Sequence, residues 1–99
     1  MNRSFSDNQY IVISYDITDD HRRNRVCQEL KNYGEHIQFS VFELLIDTGT
    51  LKNLAAKLEC LIDKKEDSIR IYVLCNACRQ RITIIGTGNV CCDEDVYVV

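Results

Sequence analysis

Tyr10-Ile11-Val12-Ile13-Ser14-Tyr15-Asp16-Ile17 is an apolar run of strand type that ends in a carboxylate. Ile11, Val12 and Ile13 are consecutive, so residues 10–16 read as a buried strand. Inside a small domain such a strand has little reason to carry an aspartate, because an unpaired buried charge is costly. At the strand's end the backbone turns into a loop, and there Asp16 can face solvent. It can then hold a metal ion or cap the next helix. Which of these it does decides whether the chain is an enzyme.

Outward from this strand the pattern alternates between two periods. Asp19 or Asp20 can cap a helix running to about Tyr33, with Val26, Leu30 and Tyr33 at helical spacing and Cys27 widening the stripe. Gly34 suits the left-handed position just past a helix end. His36 to Ile46 is again strand-like but long for one strand. A short strand, a kink near Ser40 and a second strand from Val41 is the preferred division. Thr48-Gly49-Thr50 looks like a helix start, and Leu51, Leu54, Ala55, Leu58, Leu61 and Ile62 give an amphipathic stripe. Lys64 to Asp67 is a charged exit loop. Ile69, Ile71, Val73 and Cys75 alternate with Arg70, Tyr72 and Leu74, which predicts a strand. Ile82 to Ile85 reads as a further short strand and Val96 to Val99 as a final extended segment. The order β-α-β-β-α-β is that of an α+β, ferredoxin-like split βαβ fold. The surplus C-terminal strands can pair with a partner's sheet in a homodimer and so cover an exposed edge.

The chain's 99 residues suffice for one domain, with residues 1–8 as a loose polar tail. No apolar run approaches the roughly 20 residues of a membrane span. The first residues lack the basic-then-apolar pattern of a signal peptide, so a cytoplasmic location is expected. The six cysteines then read as reduced thiols. A formal charge of −3 argues against strong general affinity for nucleic acid. Binding is local, however. Arg22, Arg23, Arg25 and Lys31 crowd one segment and Arg79 and Arg81 another, while acids collect at Glu59 to Asp67 and at Asp93-Glu94-Asp95. This segregation allows a basic face on an acidic protein.

Tyr15-Asp16-Ile17 after a strand, then Arg22-Arg23, Leu30-Lys31-Asn32-Tyr33-Gly34 and Gln38-Phe39-Ser40-Val41-Phe42-Glu43, together resemble the CRISPR-associated Cas2 family. The later Asp67-Ser68-Ile69-Arg70-Ile71-Tyr72 strand and the Cys75–Cys78 segment fit it too. The resemblance covers nearly the whole chain, and its order and spacing are more specific than any one motif. It implies a ferredoxin-like fold and a symmetric homodimer. It implies a metal-dependent nuclease acting on RNA or double-stranded DNA, with Asp16 as the metal and catalytic residue. It also implies a place in the spacer-acquisition complex beside the Cas1 integrase, where the protein can serve as a DNA-holding scaffold without cleaving.

Phosphodiester hydrolysis needs an activated water and neutralisation of phosphate charge. Mg²⁺ supplies both through oxygen ligands, and Mn²⁺ is an acceptable substitute. One aspartate makes a poor site; two Asp16 carboxylates across a dimer two-fold axis make a better one. Their mutual repulsion without metal would make the site metal-dependent and favour neutral to alkaline pH. Asp19 and Asp20 can assist as ligands, but capping suits them better. His21 is either a proton shuttle or a solvated residue of the first helical turn, and His36 a strand-entry residue without chemistry. Arg22, Arg23 and Arg25 can pair with phosphates bidentately or form a solvated helix face, with Arg79 and Arg81 as a weaker version of the same choice. Ser40 can orient water or phosphate, or form the kink. Phe42 reads as core or dimer contact before base-stacking platform, and Tyr15 as a packing residue. Cys75 and Cys78 with Cys91 and Cys92 invite structural zinc, but adjacent cysteines are awkward as two ligands and zinc is not expected. Cys27 and Cys60 read as small core residues. The competing functions are a nuclease, a nonenzymatic DNA scaffold, a ligand-sensing ferredoxin-like module and a toxin-type RNA nuclease.

Overall fold

The strand that ends in Asp16 lies inside the sheet, with a neighbour on each side. The computed structural model describes residues 8–74 and 80–86. In order they form β1 (Gln9–Asp16), α1 (Asp20–Lys31), β2 (Gly34–Gln38), β3 (Val41–Ile46), α2 (Thr48–Leu61) and β4 (Ser68–Leu74). The strand order is β2-β3-β1-β4, and every neighbouring pair is antiparallel. This is the expected α+β ferredoxin-like arrangement, with both helices crossing over one face.

Strand periodicity divides β1 between two environments. Ile11, Ile13 and Tyr15 join Phe42, Leu44 and Ile46 of β3 against Val26 and Leu30 of α1 and Leu54 and Leu58 of α2, all buried. Burying each such side chain contributes roughly 1.5–3 kcal/mol. The register Val12↔Glu43, Ser14↔Val41, Val12↔Tyr72, Ser14↔Arg70 and Asp16↔Ser68 places those residues on the other face. Asp16, Ser68, Arg70 and Tyr72 are exposed there.

Both helices start on aspartate caps. Asp19 Oδ2 accepts from the Arg22 N–H at 2.9 Å, and Asp47 Oδ1 accepts from the Thr50 N–H at 2.8 Å. The first choice between Asp19 and Asp20 thus falls to Asp19. α1 ends at Lys31, two residues before the expected Tyr33, with Asn32 as its C-cap.

Four local expectations are corrected. Gly34 is not left-handed; among the described residues only Gly86 has a positive φ. Gly34 opens β2, where any Cβ would press on the Glu43 carbonyl and lie 2.8 Å from Leu44 Cγ, so the need is for close strand approach. The kink near Ser40 is a full reversal: Phe39-Ser40 joins β2 to β3, with a register shift between His36 and Gln38. Ile82 to Ile85 forms no strand. An alternating apolar pattern becomes a strand only beside a partner, and none of the described strands pairs with it. Cys60 is exposed while Cys27 packs on the core. At about 100° per residue, Cys60 lies two residues past Leu58 and so points away from the buried stripe. The segments Cys75–Cys78, Cys91-Cys92 and Val96–Val99, and Arg79, lie outside the described residues.

The two glycines make a paired test. Gly34→Ala should destabilise the fold by about 1–3 kcal/mol, the range for forced overpacking. Gly49, in the first turn of α2 with nothing within 4 Å of a Cβ, should tolerate alanine with a gain of about 0.5 kcal/mol. Urea unfolding monitored by circular dichroism checks both.

Candidate functional site

β1 ends where three other segments meet: the start of α1, the α2–β4 turn and the start of β4. Asp16 is the last residue of β1 and is exposed. Ser14, Tyr15, Asp16, Ser68, Arg70 and Tyr72 line a small cavity of about 190 Å³ at this point. Its donors are oxygens and one guanidinium. Asp16 and Arg70 share the cavity, and neither makes an ion pair among the described residues.

Beneath this surface lies the buried carboxylate of Asp67, whose side chain is 0% exposed. It accepts from Arg22 Nε at 2.7 Å and Nη2 at 3.3 Å in a bidentate fork. It also accepts from the Asp63 N–H at 2.9 Å. Arg22 Nη2 further reaches Glu66 at 3.3 Å. The Arg22 hydrogen bond is the main reason the Asp67 carboxyl is held below the usual carboxylate range, with the Asp63 and Thr18 amides helping. The same contact raises the Arg22 pKa. Arg23 holds the chain directly after Asp16: it donates to the Ile17 carbonyl at 2.9 Å and pairs with Asp20. Asp19, hydrogen-bonded by the Arg22 backbone N–H, is also shifted down.

The structure therefore divides the arginines singled out in the sequence. Arg22 and Arg23 spend their guanidinium groups inside the chain, on the segment that carries Asp16. Arg25 is exposed in a groove of about 490 Å³ lined also by His21, Asn24, Gln28, Glu29, Asn32 and Leu61. Arg81 is exposed as well. Ser40 contributes its carbonyl, which accepts from the Tyr15 N–H at 3.1 Å. Phe42 is fully buried, with the His36 ring stacked on it at 4.5 Å, so its face is taken. His36 is thus a cross-strand partner inside β2. Tyr15 packs near Phe42 and gives its hydroxyl to the Phe39 carbonyl at 3.3 Å. Burial, together with a Cys27 contact, pushes the Tyr15 phenol up to about 12.

Ser14, Ser68, Arg70, Tyr72 and Asp67 were not singled out for chemistry by sequence. The alternation of β4 already placed Arg70 and Tyr72 on one face. That this face adjoins Asp16 follows only from the β1–β4 register. No group of three or more His, Cys, Asp or Glu residues suited to a metal is assembled among the described residues, and no described helix is long and apolar enough to cross a membrane.

Comparison with known proteins agrees with this fold. Residues 9–82 match the family described as CRISPR associated protein Cas2. A CRISPR-associated endoribonuclease Cas2 of Chloroflexus aurantiacus is 43% identical over 90 residues, covering 91% of this chain and 97% of that protein. The solved Cas2 structure from Streptococcus pyogenes superposes with a TM-score of 0.70 at 28% identity, covering 78% of this chain and 99% of that one. A chain from a structure described as a partial Cas6-RT-Cas1–Cas2 complex gives a TM-score of 0.68 at 27% identity, covering 78% and 90%.

The Arg22–Asp67 pair generates a pH prediction. A depressed folded-state pKa contributes stability above the ordinary carboxylate value, about 4, and that contribution is lost as pH falls through the folded value. The protein should weaken on acidification below about pH 4. Asp67→Asn should be less stable at pH 7 and lose less on moving from pH 7 to pH 3. Urea midpoints at the two pH values measure this.

Proposed function

The chain belongs to the CRISPR-associated protein Cas2 family, and on that premise we propose that it is an Mg²⁺-dependent endonuclease. It hydrolyses phosphodiester bonds of single-stranded RNA or duplex DNA as a homodimer, in the spacer-acquisition complex with the Cas1 integrase. The observation that carries this reading is the exposed strand-end carboxylate of Asp16, set beside hydroxyls and a guanidinium in a shallow polar cavity. An exposed carboxylate among oxygen donors suits a hard divalent cation that keeps several waters. Asp16 would hold the ion, and the Asp16 of a second copy would complete its charge. When bound, Mg²⁺ supplies neutralisation of the phosphate and a more acidic water; Mn²⁺ should replace it.

The chain's own residues do the remaining work. Arg22 and Arg23 fix the turn after Asp16, so the carboxylate meets substrate from a settled backbone. Arg25 and Arg81, exposed and without ion pairs among the described residues, are free to meet backbone phosphates. Contacts of that kind carry little sequence information, so binding should follow shape and salt concentration.

A second reading is a DNA-holding scaffold within the same complex. It is favoured by the resemblance to a chain from the Cas1–Cas2 assembly, where the protein's surface and not its turnover would matter.

One substitution separates these readings. Because Asp16 is exposed, Asp16→Ala should leave the thermal unfolding midpoint unchanged. Cleavage in Mg²⁺ or Mn²⁺ should fall by on the order of 100-fold or more. A panel of single- and double-stranded RNA and DNA, with EDTA controls, measures this. Equal cleavage in EDTA removes the metal reading. Lost cleavage with intact DNA binding and spacer acquisition favours the scaffold.

A further inference from the structure

The cavity at the end of β1 holds a base as well as an acid. Ser14 pairs with Arg70 and Asp16 pairs with Ser68, so Arg70 is the diagonal cross-strand neighbour of Asp16 on one sheet face. Diagonal neighbours lie about 7–8 Å apart at the backbone, within reach of a long side chain. Both residues line the same cavity of about 190 Å³. Yet Arg70 and Asp16 make no ion pair with each other, and Arg70 is exposed. This contrasts with Arg22, which is partly buried and whose Nε and Nη2 are committed to Asp67 and Glu66.

A carboxylate and a guanidinium that share a pocket without pairing offer opposite charges to one ligand. The ligand that satisfies both is an anion accompanied by a divalent cation. A phosphodiester fits, because its two non-bridging oxygens match the planar guanidinium fork, and a divalent cation held by Asp16 would offset the remaining negative charge. The Ser14, Ser68 and Tyr72 side chains on the same wall can donate hydroxyl hydrogens to the remaining phosphate oxygens. We propose that Arg70 is the phosphate-binding residue of the Asp16 site and seats the backbone of a nucleic-acid strand beside that carboxylate. This rests on the reading of Asp16 as the metal-binding carboxylate of a nuclease, and it names the group that receives the substrate there.

The test compares the full-length wild-type protein with Arg70→Gln, Arg70→Lys and Lys52→Gln. Lys52 is an exposed residue of α2 and controls for the loss of one positive charge. The probes are a fluorescent single-stranded RNA and a fluorescent DNA duplex, with Mn²⁺ at fixed ionic strength. Binding is read by anisotropy on phosphorothioate-protected versions, and cleavage by KM and kcat on unprotected ones. Arg70→Gln should weaken binding of at least one probe about tenfold, the size of one lost charge-assisted hydrogen bond. It should raise KM more than it lowers kcat, with the thermal midpoint and Mn²⁺ affinity unchanged. Arg70→Lys should recover part of the binding, as a point charge without the fork. Unchanged probe affinity in Arg70→Gln, or an equal loss in Lys52→Gln, overturns the proposal. If the wild type cleaves neither probe, affinity alone decides. Asp16→Ala is run in parallel: cleavage that survives it refutes the underlying reading, whereas cleavage lost there but binding untouched by Arg70→Gln refutes only the role of Arg70.

Discussion

The carboxylate of Asp67 is the constraint around which this end of the molecule is arranged. It is charged and buried, and a buried charge is tolerated only when its partners are supplied in full. Arg22 from α1 supplies a two-pronged fork and the Asp63 amide a further donor. Two segments distant in sequence therefore meet on one side chain: the start of α1 and the turn that joins α2 to β4. Removing Arg22 leaves the buried Asp67 carboxylate with only the Asp63 amide among these partners, so the junction depends on the arginine being in place. The strand end that carries Asp16 lies directly across from β4 at this junction, and its position inherits that rigidity.

The sheet then separates stability from chemistry. One face is covered by both helices and holds the apolar side chains of β1 and β3. The other presents Asp16, Arg70 and Tyr72, whose polar ends stay in water. A strand places successive residues on opposite faces, so Tyr15 can be core while Asp16 is site without any irregularity in the backbone. The arginines show a similar partition on a smaller scale. Arg22 and Arg23 hold the chain, and Arg25, Arg70 and Arg81 face outward. A chain with a net charge of −3 thus keeps several cations available for a polyanion, because its acids consume only some of them.

Much of this was legible in the order of the residues. The change of period from two to three-and-a-half marked each strand and helix in turn, and the carboxylates at Asp19 and the strand-end Asp16 stood out by their places. The misreadings share one cause. Gly34 carries the local signature of a helix terminator, whereas its reason is the Glu43 carbonyl on a neighbouring strand. Ile82 to Ile85 has the alternation of a strand, but alternation does not provide a partner. What sequence could not show for Arg22 is its pairing with a carboxylate 45 residues away. The usefulness of Arg70 depends on which strand lies beside β4, a matter of topology.

By itself the sequence determined the elements, their order, the core face of each and the presence of a carboxylate at the end of the first strand. These follow from short-range periodicity and capping, which act within a few residues. Only the tertiary structure decided which arginines are spent on internal carboxylates, and that Asp16 shares a cavity with Arg70. Those outcomes depend on strand register and on ion pairs between segments far apart in the chain. A side chain's charge is written in its identity, but its partner is chosen by packing.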